Sequence, residues 1–193
     1  MPDAYTPPKL TLPVGDRDHA EGSADAAVTL VEYGDYQCPY CGAAYPVVKQ
    51  VQKEMGTLLR FVFRNFPITN AHPNAEWAAE TAEAAAAQGK FWPMHDFLFE
   101  HQRFLGEDAV FAEQEAKLKL DVRRIGREVA ERAYNARIEE DVMSGIRSGV
   151  NGTPTFFIEG FRYDGPAELR SLVAALKGVA KSSGGRGVRR SRA

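Results

Sequence analysis

Cys38 and Cys41 are the only two thiols in the 193-residue chain, and they stand three positions apart. An apolar, β-branched run (Val28 to Val31) leads toward them, and a helical stripe of Ala43, Ala44, Val47, Val48 and Val51 leaves them. The pair therefore falls at a strand-to-helix turn. The first N–H groups of a helix have no intrahelical partner and its dipole is positive at that end, so Cys38 at the N-cap is expected to hold a thiolate at lower pH than an ordinary cysteine. Cys41, one turn later, points back toward it and is expected to be the more buried and less reactive thiol. A thiolate at Cys38 can attack a substrate disulfide, and Cys41 can then resolve the mixed disulfide. The chemistry this spacing supports is thiol–disulfide exchange.

Other uses of the pair are weaker. A zinc or iron–sulfur site takes about four ligands. There is no third cysteine, and His19, His72, His95 and His101 are not paired at the short spacing of a metal knuckle. A structural disulfide closing so short a loop adds little chain-entropy stabilisation. Two further features bear on the pair. Glu32 precedes Cys38 by six residues, on the strand that ends beneath it. Its carboxylate could accept the Cys41 proton through a water during resolution; strand alternation equally allows a Glu facing solvent. In Gly149-Val150-Asn151-Gly152-Thr153-Pro154 a proline opens a later strand. Were its peptide bond cis, the Thr153 backbone would face Cys38 with its N–H and C=O available to an extended substrate; a trans turn proline is the ordinary alternative.

The elements that must position these residues follow from periodicity. Residues 1–25 are rich in Pro, Asp and Gly and read as an arm, with a short strand allowed near Leu10 to Val14. Strands are expected over Ala26–Tyr33 and Leu58–Phe66, flanking a helix over Cys41–Met55 that Pro46 should kink. From residue 70 to 148 the pattern is helical throughout: Ala75–Gln88, Phe91–Gln102, Glu107–Leu120, Val122–Tyr134 with Asp121 as N-cap, and Ile138–Ile146. Thr155–Glu159 and Phe161–Tyr163 then read as an antiparallel hairpin about Gly160. A last helix buries Leu169, Leu172, Val173, Leu176 and Val179. The residues from Ser182 on, with Arg186, Arg189, Arg190 and Arg192, read as a disordered basic tail. His95 and His101 read as core-edge or cap residues. Trp77, Phe91, Trp92, Phe97, Phe99 and Phe104 read mainly as the core of the helical block, with an exposed subset offering a groove for peptide. Strand, helix, strand makes a right-handed parallel crossover, and the closing hairpin adds antiparallel strands. The expected class is α/β, a mixed sheet with helices on both faces.

Composition sets outer limits. Hydrophobic residues are 44% and charged residues 26%, with formal net charge −2, so no global bias toward nucleic acid or an anionic membrane exists. A chain of this length buries roughly 70% of its unfolded surface and folds without a metal or disulfide. No apolar run approaches the roughly 20 residues of a membrane span. The N-terminus lacks a basic start followed by an apolar core, so a cytoplasmic protein is expected, or a periplasmic one if a leader has been removed.

The run Leu30-Val31-Glu32-Tyr33-Gly34-Asp35-Tyr36-Gln37-Cys38-Pro39-Tyr40-Cys41-Gly42, the segment Phe63-Arg64-Asn65-Phe66-Pro67 with His72-Pro73, the helix bearing Phe91-Trp92 and Met94-His95, and Ser148-Gly149-Val150 with Gly152-Thr153-Pro154-Thr155-Phe156-Phe157-Ile158 together resemble the DsbA-like branch of the thioredoxin superfamily. The resemblance spans about residues 12–180. It implies a thioredoxin-like fold interrupted by an all-helical insertion, with a thioredoxin-like domain over 26–69 and 149–181 and the insertion over 70–148. It implies Cys38 as nucleophile, Cys41 as resolving thiol, Glu32 as the buried acid near the pair, Thr153-Pro154 as a cis-proline loop at the substrate, and Pro46 as the kink proline of the active-site helix. The intervening Pro39-Tyr40 differs from the Pro-His of strong oxidants and matches the glutaredoxin dipeptide. A neutral Tyr40 stabilises a thiolate less than a cationic His would, so a milder oxidant is expected. The resulting expectation is a monomeric oxidoreductase of protein or peptide thiols, working with a redox partner and without cofactor or metal. A glutathione-dependent reductase and a non-catalytic binding domain of the same fold stay open beside it.

Overall fold

A computed structural model describes residues 6–187. In chain order the elements are β1 His19–Glu21, β2 Val28–Gly34, α1 Pro39–Met55, β3 Leu59–Asn65, α2 Ala75–Ala86, α3 Phe91–Glu100, α4 Asp108–Lys117, α5 Val122–Ala130, α6 Asn135–Arg147, β4 Thr155–Ile158, β5 Phe161–Tyr163 and α7 Leu169–Gly187. Short 3₁₀ turns occupy Gly56–Leu58 and Gln102–Phe104. By their internal contacts the residues fall into two compact units, one of residues 6–33, 44–64 and 144–187, the other of Gly34–Ala43 and Asn65–Met143.

The first unit holds the sheet, ordered β1-β3-β2-β4-β5. β1 is antiparallel to β3, β2 to β4, and β4 to β5. β2 and β3 lie side by side and are joined through α1, the crossover that a parallel pair needs, so the sheet is mixed. Along β2, Leu30, Val31, Glu32 and Tyr33 are all buried in succession, as are Phe61, Val62, Phe63 and Arg64 along β3. Successive residues face opposite sides of a strand, so burial of both parities requires cover on both faces. The hairpin between β4 and β5 turns at Glu159 and Gly160, both at positive φ (49° and 80°), the geometry of a two-residue turn that matches strand twist.

The arm differs from its sequence reading. Residues 19–21 form β1, pairing His19 with Phe63 and Glu21 with Phe61. A three-residue edge strand has too few side chains to show a period, so only pairing with β3 reveals it. Near Leu10 the chain makes a single bridge, Lys9 to Phe161, flanked by Leu10 N–H to Gly160 O and Arg162 N–H to Pro8 O, each 2.8 Å. Arg64 fastens the arm. Its guanidinium donates to Asp18 at 2.8 and 3.1 Å, to Leu12 O at 3.0 Å, to Pro13 O at 3.2 Å and to the Tyr33 hydroxyl at 2.8 Å.

α7 also runs past its expected end. It continues to Gly187, and Ser182 Oγ donates to Val179 O at 2.7 Å, so the first residues of the expected tail extend a helix already nucleated by Leu172, Val173 and Leu176. Residues 188–193, with Arg189, Arg190 and Arg192, lie outside the described residues. α1 runs unbroken through Pro46.

The second unit holds the turn into α1, the irregular segment of residues 66–74 and a block of helices. Asp121 caps α5 by accepting the Arg124 N–H at 2.9 Å. Phe97 and Phe111 stack edge to face at 5.2 Å, and Trp77 meets Phe111 at 4.8 Å.

Candidate active site

β2 ends at Gly34 and α1 begins at Pro39, so residues 35–38 make the turn between them. Cys38 is the residue before the first helical position. Its N–H donates to Asp35 O at 3.1 Å and its C=O accepts the Gly42 N–H at 3.0 Å. Pro39 follows as the first helical residue, where a missing N–H costs nothing and a fixed φ suits the helix. Tyr40 turns outward and is 74% exposed, while Cys38 is 3% and Cys41 0% exposed. Both cysteines are thiols, and the Asp35 N–H lies 3.4 Å from Cys41 Sγ as donor.

The turn is held from several directions. Asp35, 1% exposed, accepts the Gln37 N–H on Oδ1 at 2.8 Å. That is an Asx turn, a side chain closing the backbone two residues on. Its Oδ2 accepts the Ile68 N–H at 2.8 Å and stands 2.7 Å from His72 Nδ1. Gln37 Oε1 accepts the Asn74 N–H at 2.6 Å. Gln102 Nε2 donates to both Tyr36 O and Cys38 O, each at 2.8 Å. The Tyr36 hydroxyl is 3.1 Å from His95 Nδ1, and its ring lies 4.9 Å from that of Phe99. His95 is buried at 3% exposure and edge-on to Trp92 at 5.1 Å, so it belongs to the core of its unit, while the ring of His101 stacks on Phe97 at 4.0 Å.

Glu32 and Thr153-Pro154 belong to the sheet unit. Glu32 is 3% exposed and lies opposite Phe156 of β4, with Tyr33 opposite Thr155. A solvent-facing Glu32 is thereby excluded, and Glu32 and Pro154 sit at the same end of two paired strands. The Thr153–Pro154 peptide bond is cis. Cys38 thus ends the turn and Pro39, Tyr40 and Cys41 open α1 within the helical unit, while Glu32 and Thr153-Pro154 lie in the sheet unit. Among the described residues no group of three or more His, Cys, Asp or Glu side chains is arranged to hold a metal ion.

Sequence reasoning passed over Asp35 and Gln102. Asp35 carried a usable signal, an Asp two residues before an N–H that a turn leaves without a partner. Gln102 carried none, because its two acceptors lie 66 and 64 residues away.

A family model described as thioredoxin matches residues 15–178. Among curated relatives, a Salinispora tropica protein named Na(+)/H(+) antiporter NhaA 3 is 46% identical over 168 residues, covering 86% of this chain and 26% of that protein. The chain thus spans about a quarter of that relative's length. A thioredoxin-like oxidoreductase from Silicibacter pomeroyi superposes with a TM-score of 0.71 at 26% identity, over 87% of this chain and 94% of that one. Wolbachia pipientis alpha-DsbA1 superposes with a TM-score of 0.75 at 18% identity, over 90% and 96%. With the sheet, the crossover helix and the helical insertion all in place, the chain belongs to the thioredoxin family and has the fold of its DsbA-type members.

Proposed function

We propose that the protein is a dithiol–disulfide oxidoreductase acting on protein or peptide thiols. The observation that carries this reading is the buried Cys38 thiol standing immediately before the first residue of α1, with Cys41 one turn behind it. Cys38 thiolate attacks one sulfur of a substrate disulfide; the other sulfur leaves as a thiolate. Cys41 then loses its proton and attacks the Cys38 sulfur, releasing the second substrate thiol. Two electrons pass from the pair to the substrate, and the reverse sequence oxidises a substrate dithiol. The resemblance to DsbA-like proteins adds to this proposal Glu32 as acceptor of the Cys41 proton and Thr153-Pro154 as the loop that aligns an extended substrate segment. Pro39 starts the helix, and Tyr40 leaves the thiolate without a cationic neighbour in the motif, which favours a mild oxidant.

The likeness to the Silicibacter oxidoreductase supports an enzyme. The antiporter name of the Salinispora relative describes a protein about four times the matched length, and no helix among the described residues is long and apolar enough to cross a membrane. Ion transport therefore forms no part of the proposal.

Cys38→Ser is expected to abolish insulin reduction and dithiol-peptide oxidation; full retention of either overturns the assignment. Turnover coupled to glutathione and glutathione reductase, at a rate matching that with peptide disulfides, would move the protein to the glutaredoxin-like class.

A further inference from the structure

Gln102 lies in the 3₁₀ turn after α3, far in sequence from the cysteines, yet its amide reaches the turn that carries them. A primary amide has two N–H bonds, and here one nitrogen serves two carbonyls, those of Tyr36 and Cys38, both at 2.8 Å. The Cys38 carbonyl also accepts the Gly42 N–H at 3.0 Å, so both of its lone pairs are used. The two peptide planes flanking Gln37 and Cys38 are thereby fixed against the helical unit.

Gly42 completes the arrangement. It lies inside α1, where glycine is less favourable than alanine, and its backbone is not in the left-handed region that would call for glycine. A Cβ on Gly42 would stand 2.4 Å from Gln102 Oε1 and 3.0 Å from Cδ. The missing side chain is the space that the Gln102 amide occupies.

We infer that Gln102, seated against Gly42, is a positioning residue that holds Cys38 in register with the N-terminus of α1 and so sets how readily its thiolate forms. The effect of a helix terminus on a charge fades within one turn, so a small displacement of the N-cap residue changes it. This inference rests on the reading of Cys38 as the nucleophile.

The test is the pH dependence of Cys38 alkylation in the full chain, measured for wild type, Gln102→Ala, Gly42→Ala and the double variant. Other titratable groups about the turn are Cys41 on α1, Asp35 in the turn, His72 beyond β3, and Tyr36 with His95 of α3; they are common to all four proteins. Each single variant is expected to raise the Cys38 midpoint and lower the thiolate fraction roughly three- to tenfold at neutral pH, the range of one or two lost hydrogen bonds of ordinary strength. The double variant is expected to match Gln102→Ala, because with no amide to displace the Gly42→Ala methyl becomes silent. A merely structural role would shift thermal stability without this pattern. A depressed wild-type midpoint unchanged in Gln102→Ala, or a Gly42→Ala effect that persists in the double variant, overturns the inference. Should Gln102→Ala not fold, Gly42→Ala decides it alone, since it only pushes aside the end of a flexible side chain. A wild-type midpoint at the ordinary thiol value near ~8.5 overturns the nucleophile reading first, and this inference with it.

Discussion

Cys38 and Cys41 are both buried but differ in what the chain puts beside them. Cys38 precedes the helix and faces its first turn, whereas Cys41 lies inside that turn with the Asp35 N–H against its sulfur. The division of labour proposed for them has a direct readout. Cys41→Ala leaves the attack intact and removes resolution, so the substrate is expected to stay bound to Cys38 as a mixed disulfide, visible by mass spectrometry, with turnover reduced at least about tenfold. Glu32, buried on β2, is the base proposed for the Cys41 proton. Glu32→Gln keeps the shape and removes the base, and should slow decay of the mixed disulfide by about a hundredfold, the low end for a positioned base acting through water. Unchanged decay in stopped-flow measurements would remove Glu32 from the mechanism.

The element that matters most is the turn of residues 35–38 between β2 and α1. Two half-buried backbone donors, the Gln37 and Ile68 N–H groups, end on the Asp35 carboxylate together with His72. Asp35→Ala would leave both without acceptors. At about 0.5–1.5 kcal/mol for each hydrogen bond lost by a half-buried donor, the loss should be roughly 1–3 kcal/mol of stability, read from the urea midpoint. His72→Ala takes away a partly exposed partner and should cost far less, so the two variants separate the turn-closing role of Asp35 from its pairing with His72.

At the scale of the sheet unit, the buried pair of Asp18 and Arg64 joins the arm to β3 with no exposure of either side chain. Burial alone would raise the Asp18 carboxyl, but hydrogen bonds from Arg64 and the Gly15 N–H and the charges of Arg64 and Arg17 outweigh it and hold the carboxyl below its usual range. A folded value below the unfolded one means that this stabilisation is present above the unfolded carboxyl's pKa, near ~3.9, and is lost as the pH falls through the folded value. Acid unfolding of the wild type is therefore expected to steepen below about pH 4, and Asp18→Asn should remove that part of the slope. At neutral pH the same substitution leaves the Arg64 charge buried without its counter-ion and is expected to cost about 3–5 kcal/mol, measured by urea unfolding.

Local pattern determined much of this protein. The Val28–Val31 run, the alternation of Leu59, Phe61 and Phe63 and the stripes of α2 to α7 each announce an element within its own span. So does Asp121 as the cap of α5, because the donor it satisfies is three residues away. The reactive pair was legible for the same reason, being three residues apart at the junction of two such elements. What only the tertiary structure decided involves partners distant in the chain. β1 exists through β3, about 40 residues on, and Arg64 is buried because residues 12–18 and Tyr33 fold over it. The Asp35 carboxylate and the Gln102 amide act on the cysteine turn from opposite ends of that range, one within two residues and one across more than sixty. A periodic apolar pattern encodes which face of an element is buried; it does not encode which polar group will be waiting there. The spacing of Cys38 and Cys41 therefore declares the chemistry, and the long-range hydrogen bonds decide how firmly Cys38 is held where that chemistry begins.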